Sequence, residues 1–125
     1  MTQFTLTSAQ DGLALHGLLV VPPSGQVRGV VQISHGMAEH KQRYLPFMRY
    51  LAKHGFACAI HDHRGHGQSV RDSAHWGYFY AHGATAEVED LKQVTEYLQE
   101  KFPEAPFYLF GHSMGSLIAR VYCKT

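Results

Sequence analysis

At 125 residues, with 45% hydrophobic and 12% aromatic side chains, the chain can bury one core and not two, and its lack of biased tracts excludes disorder. Eleven Lys plus Arg against ten Asp plus Glu leave a net charge of +1, which excludes the basic excess that nucleic-acid binding requires. Charged residues reach only 17%, below the ~25% usual in soluble domains, so the surface is expected either to be less polar than usual or to lie partly under something else.

Purely apolar runs such as Leu18 to Val21 are far short of the ~20 residues that cross a bilayer. Met1 to Gln10 has neither the basic start nor the apolar stretch of a secretory signal, so a cytoplasmic location is expected. Cys58 and Cys123 sit in apolar settings and read as buried thiols rather than a disulfide framework.

Phe4 to Thr7 alternates, Asp11-Gly12 supplies a tight turn, and Leu13 to Val21 resumes an apolar strand, so the chain opens with a β-hairpin. Gly29 to Ser34 is short, β-branched and mostly apolar, the pattern of a strand buried in a parallel sheet. Tyr44 to His54 predicts a helix, with Pro46 in its first turn and Gly55 as a left-handed cap. Phe56 to Ile60 is a second buried strand, followed by a polar stretch without period from His61 to Gly83.

Thr85 to Phe102 is the clearest helix: Val88, Leu91, Val94 or Thr95, Leu98 and Phe102 form one stripe, with Glu87, Glu89 and Asp90 expected in the positive-dipole first turn. Phe107 to Phe110 reads as a third buried strand, Gly111 to Gly115 as a turn and Ser116 to Cys123 as a helix. A hairpin followed by alternating strands and helices predicts an α/β fold, its sheet mostly parallel with helices on both faces.

Gly111-His112-Ser113-Met114-Gly115 fits G-x-S-x-G between a predicted strand and a predicted helix. Such a turn holds its serine in a strained backbone, and glycines two residues to either side let neighbouring chain pass without a Cβ clash. Ser113 is the candidate nucleophile and the Met114 N–H a candidate oxyanion donor; a plain turn with a helix-capping serine is the alternative. The loop His35-Gly36-Met37-Ala38-Glu39 directly follows a strand and could bring a second donor, the Met37 N–H, to the same place. Otherwise it is an ordinary strand-to-helix connection. His35 reads as a structural hydrogen-bonding residue rather than the base.

His61-Asp62-His63-Arg64-Gly65-His66 invites comparison with the zinc-binding pattern H-x-H-x-D-H. Gly65 stands where that pattern needs aspartate, so a loop held by Asp62 and Arg64 hydrogen bonds is the better reading. Neither metal nor cofactor is expected.

His35-Gly36-Met37-Ala38-Glu39-His40, Asp62 to Ser69, and Gly111-His112-Ser113-Met114-Gly115, in that order, resemble the α/β-hydrolase superfamily. Within it they resemble the monoacylglycerol lipase and lysophospholipase branch, grouped with the serine aminopeptidases. The resemblance implies Ser113 as nucleophile and the N–H groups of Met37 and Met114 as oxyanion hole, with His35, Gly36, Glu39, Asp62, Arg64, Gly111 and Gly115 supporting the motifs. It implies an acyl ester or lipid substrate, and leaves room for peripheral membrane contact through a lid.

In this fold the triad order is Ser, then Asp or Glu, then His. No such acid or histidine follows Ser113, so the likeness is to the N-terminal part of the domain, with both partners expected outside this chain. The Phe107 strand is then an open sheet edge that invites a missing half or another copy. The expected function is carboxylic ester hydrolysis through an acyl-enzyme. The rival readings are an interaction protein without catalysis and an aminopeptidase of the same superfamily.

Overall fold

The computed structural model describes residues 1–9, 11–36, 41–64, 66, 68–69, 83–112, 115 and 119. The elements are β1 (Thr2–Thr7), β2 (Ala14–Val20), β3 (Gly29–Ser34), a short 3-10 turn (Lys41–Tyr44), α1 (Leu45–Lys53), β4 (Phe56–His61), α2 (Gly83–Lys101) and β5 (Phe107–Gly111). The five strands form one sheet in the order β1-β2-β4-β3-β5. β1 and β2 pair antiparallel, β2 joins β4 antiparallel, and β3 runs parallel to both β4 and β5.

The hairpin turn is set by its chemistry. Gly12 takes φ 75°, a left-handed conformation that costs other residues strain, and the Asp11 carboxylate accepts the Leu13 N–H at 3.2 Å. Period-two alternation then divides the strands between two cores. Leu18, Val20, Ile33, Cys58 and Ile60 pack under Met48 and Ala52 of α1. Their sequence neighbours Leu19, Val30, Ala57 and Ala59, with Phe4, pack under Val94 and Leu98 of α2. Helices therefore cover both faces, and each fully buried Leu, Ile or Val side chain contributes roughly 1.5–3 kcal/mol.

Buried Gln32 of β3 faces α2, donating to the Leu91 carbonyl at 3.2 Å and accepting from the Thr95 hydroxyl at 2.5 Å. That pair fixes how α2 sits along the strand. Pro46 lies in the first turn of α1, and Gly55, at φ 95°, closes its far end by donating to the Ala52 carbonyl at 3.1 Å.

Two expectations change. β5 is not buried: Phe107 and Leu109 are half-covered, but Tyr108 and Phe110 are 54% and 43% exposed. The reason is position, because among the described residues β5 is the last strand of the sheet and has β3 alone paired beside it. α2 begins at Gly83, so Glu87, Glu89 and Asp90 lie past its first turn, and Asp90 is turned inward and buried. Its charge is neutralised by a side chain rather than by the helix dipole, as the next section shows. Cys58 is a free buried thiol, pushed up to about 11 by burial and so unreactive; Cys123 lies outside the described residues. Of the predicted final helix only Ala119 is described; it is helical and packs beside Leu91. Among the described residues no helix is long and apolar enough to cross a membrane.

Gly17 lies opposite Phe4 in the β1–β2 pairing, and a Cβ there would collide with the Phe4 ring. That ring is stacked on Tyr97 at 4.9 Å between centroids, so it has little room to yield. Gly17→Ala is expected to destabilise the intact native polypeptide by about 1–3 kcal/mol, read as a lower urea midpoint at unchanged m-value.

Candidate active site at the carboxyl edge of the sheet

The parallel strands β3, β4 and β5 end side by side, and in open α/β sheets such carboxyl ends carry the ligand site. Gly111 pairs with Ser34, the His112 N–H reaches the Ser34 carbonyl at 3.1 Å, and the Gly115 N–H reaches the His112 carbonyl at 2.9 Å. A Cβ on Gly115 would run into the backbone carbonyl oxygens of Ser34 and His35, so glycine alone fits there. The segments on either side of the serine motif are thus pressed against the end of β3, where the His35-Gly36 loop begins. Ser113, Met114, Met37 and Glu39 lie outside the described residues.

His35 is fully buried. Its Nδ1 lies 2.8 Å from the Gly36 carbonyl and its Nε2 accepts the His63 N–H at 2.9 Å. A carbonyl can only accept and a backbone N–H can only donate, so His35 is neutral with its proton on Nδ1. Its ring packs 4.4 Å from that of His63 and 5.4 Å from that of His66, centroid to centroid. His63 Nε2 lies 3.0 Å from the Ser34 hydroxyl. Among the described residues, buried His63 Nδ1 and both nitrogens of buried His61 have no hydrogen-bond partner.

Burial first, then the nearby His35, pushes His61 down to about 3, against the opposite pull of Asp62. His63 is held well below its ordinary value by burial and then by His61, His35 and His66. Among the described residues no three His, Cys, Asp or Glu side chains converge as metal ligands.

Asp62 is occupied by its neighbours. It accepts the Lys41 N–H at 2.7 Å, the Lys41 ammonium at 2.8 Å and the Gln68 N–H at 3.0 Å; Lys41 and Asp62 are both buried. Its own N–H goes to the His16 carbonyl at 2.9 Å, tying this loop to β2. Arg64, also fully buried, donates from Nε to Asp90 at 2.7 Å, from Nη1 to Asp11 at 2.8 Å and from Nη2 to the Ser8 hydroxyl at 3.0 Å. The Ser8 hydroxyl in turn donates to Asp90 at 2.6 Å.

Asp90, Asp11, Ser8 and Lys41 escaped the sequence reading. One signal existed for Asp90: it precedes Val94 by one turn and Leu98 by two, on the helix face that becomes buried.

A mixed sheet entered by an antiparallel hairpin, clothed on both faces, with G-x-S-x-G leaving a parallel strand, is the architecture of an α/β-hydrolase. Residues 25–125 match the family described as serine aminopeptidase, S33, and the chain belongs to that family. It is 36% identical over 97 residues to a monoglyceride lipase of Rattus norvegicus, covering 78% of this chain and 30% of that protein. It is 33% identical over 100 residues to a monoacylglycerol lipase of Mycolicibacterium smegmatis, covering 80% and 34%. Among solved structures, a thermostable carboxyl esterase from Bacillus coagulans superposes with TM-score 0.91 at 35% identity, over 99% of this chain and 40% of that one. A monoglyceride lipase from Saccharomyces cerevisiae bound to a substrate analogue superposes with TM-score 0.76 at 27% identity, over 90% and 36%. The chain spans about a third of the length of these curated relatives.

Two outcomes follow for the buried polar groups. Arg64→Met strands two carboxylates, and Asp90→Leu strands part of a guanidinium. Each is expected to cost about 3–5 kcal/mol, with the double variant losing less than the sum, measured as a double-mutant cycle in urea. The unfolded chain protonates His61 near 6.5 and the fold only near 3. Falling pH therefore favours the unfolded state: the contribution is whole above 6.5 and drains toward 3, at up to roughly 1.4 kcal/mol per pH unit. His61→Phe is expected to flatten that slope by close to one proton in denaturation series from pH 7 to 4.

Proposed function

We propose that the native protein is a serine hydrolase that cleaves acyl esters of the monoacylglycerol or lysophospholipid type. In this reading Ser113 Oγ attacks the ester carbonyl while a histidine beyond this chain takes its proton. The N–H groups of Met37 and Met114 hold the oxyanion, the alcohol departs with the proton, and water then releases the acid. The observation that carries it is the packing of Gly115 on Ser34 and His35, which brings the chain flanking Ser113 to the start of the loop that bears Met37.

In this reading the base and the acid lie outside this chain, because the order in this fold is Ser, then acid, then His and neither follows Ser113. Among the described residues, His35 has both ring nitrogens engaged, buried His61 and His63 resist protonation, Asp62 is held by Lys41 and Asp90 by Arg64, which supports it. These residues are the N-terminal portion of one catalytic domain, whose further strands cover β5. Its lid touches the membrane surface that presents the lipid, and the enzyme works in the cytoplasm.

A fluorophosphonate should add once per chain to the intact native polypeptide and not to Ser113→Ala. The same variant should lower kcat on a monoacylglycerol roughly 10⁴-fold or more. A folded wild type that takes no label overturns the enzyme reading. Faster cleavage of aminoacyl amides than of acyl glycerols would instead favour an aminopeptidase.

A further inference from the structure

The pairing of β3 with β4 runs as far as Ile33 and Ile60. Past that point the end of β3 is joined to the segment after β4 by two neutral hydrogen bonds of His63. Its Nε2 lies 3.0 Å from the Ser34 hydroxyl, and its N–H is accepted by His35 Nε2 at 2.9 Å. Imidazoles fill this junction: His35, His61 and His63 are fully buried and His66 nearly so. Ring centroids stand 4.4 Å apart for His35 and His63, 5.0 Å for His61 and His63, and 5.4 Å for His35 and His66.

Such a cluster is unfavourable when neutral and more so when charged. His63 Nδ1 and both His61 nitrogens lack a partner among the described residues, and each gives up a bond that it makes in water. A proton on either ring would place a cation beside the other imidazoles, while the charged groups packed around them are already engaged. Asp62 holds Lys41 from the turn before α1, and Arg64 holds Asp11 of the hairpin and Asp90 of α2. Burial therefore keeps both rings below their ordinary 6.5. The neighbouring histidines act in the same direction, and Asp62 pulls the other way at His61. Exposed to water, both rings take protons near 6.5, so falling pH favours the opened form.

We propose that His61 and His63 form an acid-released latch: when both take protons, the end of β3 parts from the segment after β4 while the rest of the sheet stays folded. The two apolar cores contain no histidine and are untouched by the same protons. Two linked protons make the release steep, up to about 100-fold in the opening equilibrium per pH unit below 6.5, against about tenfold for one. As a control on the site the latch rests on the serine hydrolase reading, because the Ser34 and His35 carbonyls against which Gly115 packs belong to the released end of β3.

Amide hydrogen exchange in the intact native polypeptide, followed by NMR at the His63 N–H, tests the latch without reference to catalysis. Corrected for the intrinsic rate, protection at His63 should fall about 600-fold from pH 7 to pH 5. Adding about 1 M urea should change it less than about twofold, because a local opening exposes little surface, whereas the Ala59 amide of β4 should respond to urea as global unfolding does. In His61→Phe the fall should shrink to about 25-fold, as for one proton. A wild-type fall of about 25-fold or less, or a urea dependence at His63 equal to that at Ala59, would overturn the proposal, and these wild-type measurements decide alone if the variant does not fold. Fluorophosphonate labelling should drop less at pH 5 in His61→Phe than in wild type and recover on return to pH 7; equal drops would overturn the control of the site. Labelling of Ser113→Ala would overturn the serine hydrolase reading instead, leaving the exchange result intact.

Discussion

The Arg64 guanidinium is fully buried, and a cation taken out of water is tolerable only when carboxylates and hydrogen bonds replace what water gave. Two remote pieces of chain meet that demand: the hairpin turn with Ser8 and Asp11, and α2 with Asp90. None can shift without leaving a charge unpaired in the interior. The hairpin, the exit of β4 and the long helix are thereby locked to one another at a single point. Apolar packing alone would not do this, because the alternating Ala, Val and Leu contacts beneath α2 would tolerate sliding, whereas a bidentate pair has one geometry.

From that anchor the restraint passes to the sheet's carboxyl edge. Asp62 and His63 immediately precede Arg64, and they hold Lys41 and His35, the two ends of the segment that follows β3. Gly115 then seats the exit of β5 against Ser34 and His35. The order of dependence runs from a buried charge, through a fixed loop, to a second loop and finally to the turn around the serine motif. Neutral hydrogen bonds carry the later steps.

Much of this was legible in the sequence, for definite reasons. Strand and helix positions followed from periodicity, because each residue in β2 and β4 takes the face opposite its neighbour's. Asp11-Gly12 and Gly55 announced their turns through the left-handed backbone they adopt. Pairings across long separations were not legible: the Arg64 bond to Asp90 joins residues 26 apart, and Ser8 meets Asp90 across 82. The spacing of Asp90 to Val94 and Leu98 marked its face of the helix but not its cation, so Asp90 read as a dipole partner. The exposure of β5 was missed because an aromatic strand reads alike at the centre of a sheet and at its edge. Only neighbours distinguish the two.

The two sides of the sheet differ in how they are secured, and the difference bears on the site between them. On the hairpin side, β1, β2 and β4 are stapled by the Asp62 N–H on His16 at 2.9 Å and by the His16 N–H on the Ser69 hydroxyl at 2.9 Å. On the other side β5 pairs, among the described residues, with β3 alone and shows Tyr108 and Phe110 partly to solvent. The loop with the His35 bridge is fastened to the secured side. The serine motif leaves the strand at the open side, and the packing of Gly115 on the carbonyls of Ser34 and His35 is the described contact that joins them. A side chain at 115 would push the two apart at the carboxyl edge of the sheet. That glycine is therefore a constraint on the alignment of the two halves of the site as well as on a turn.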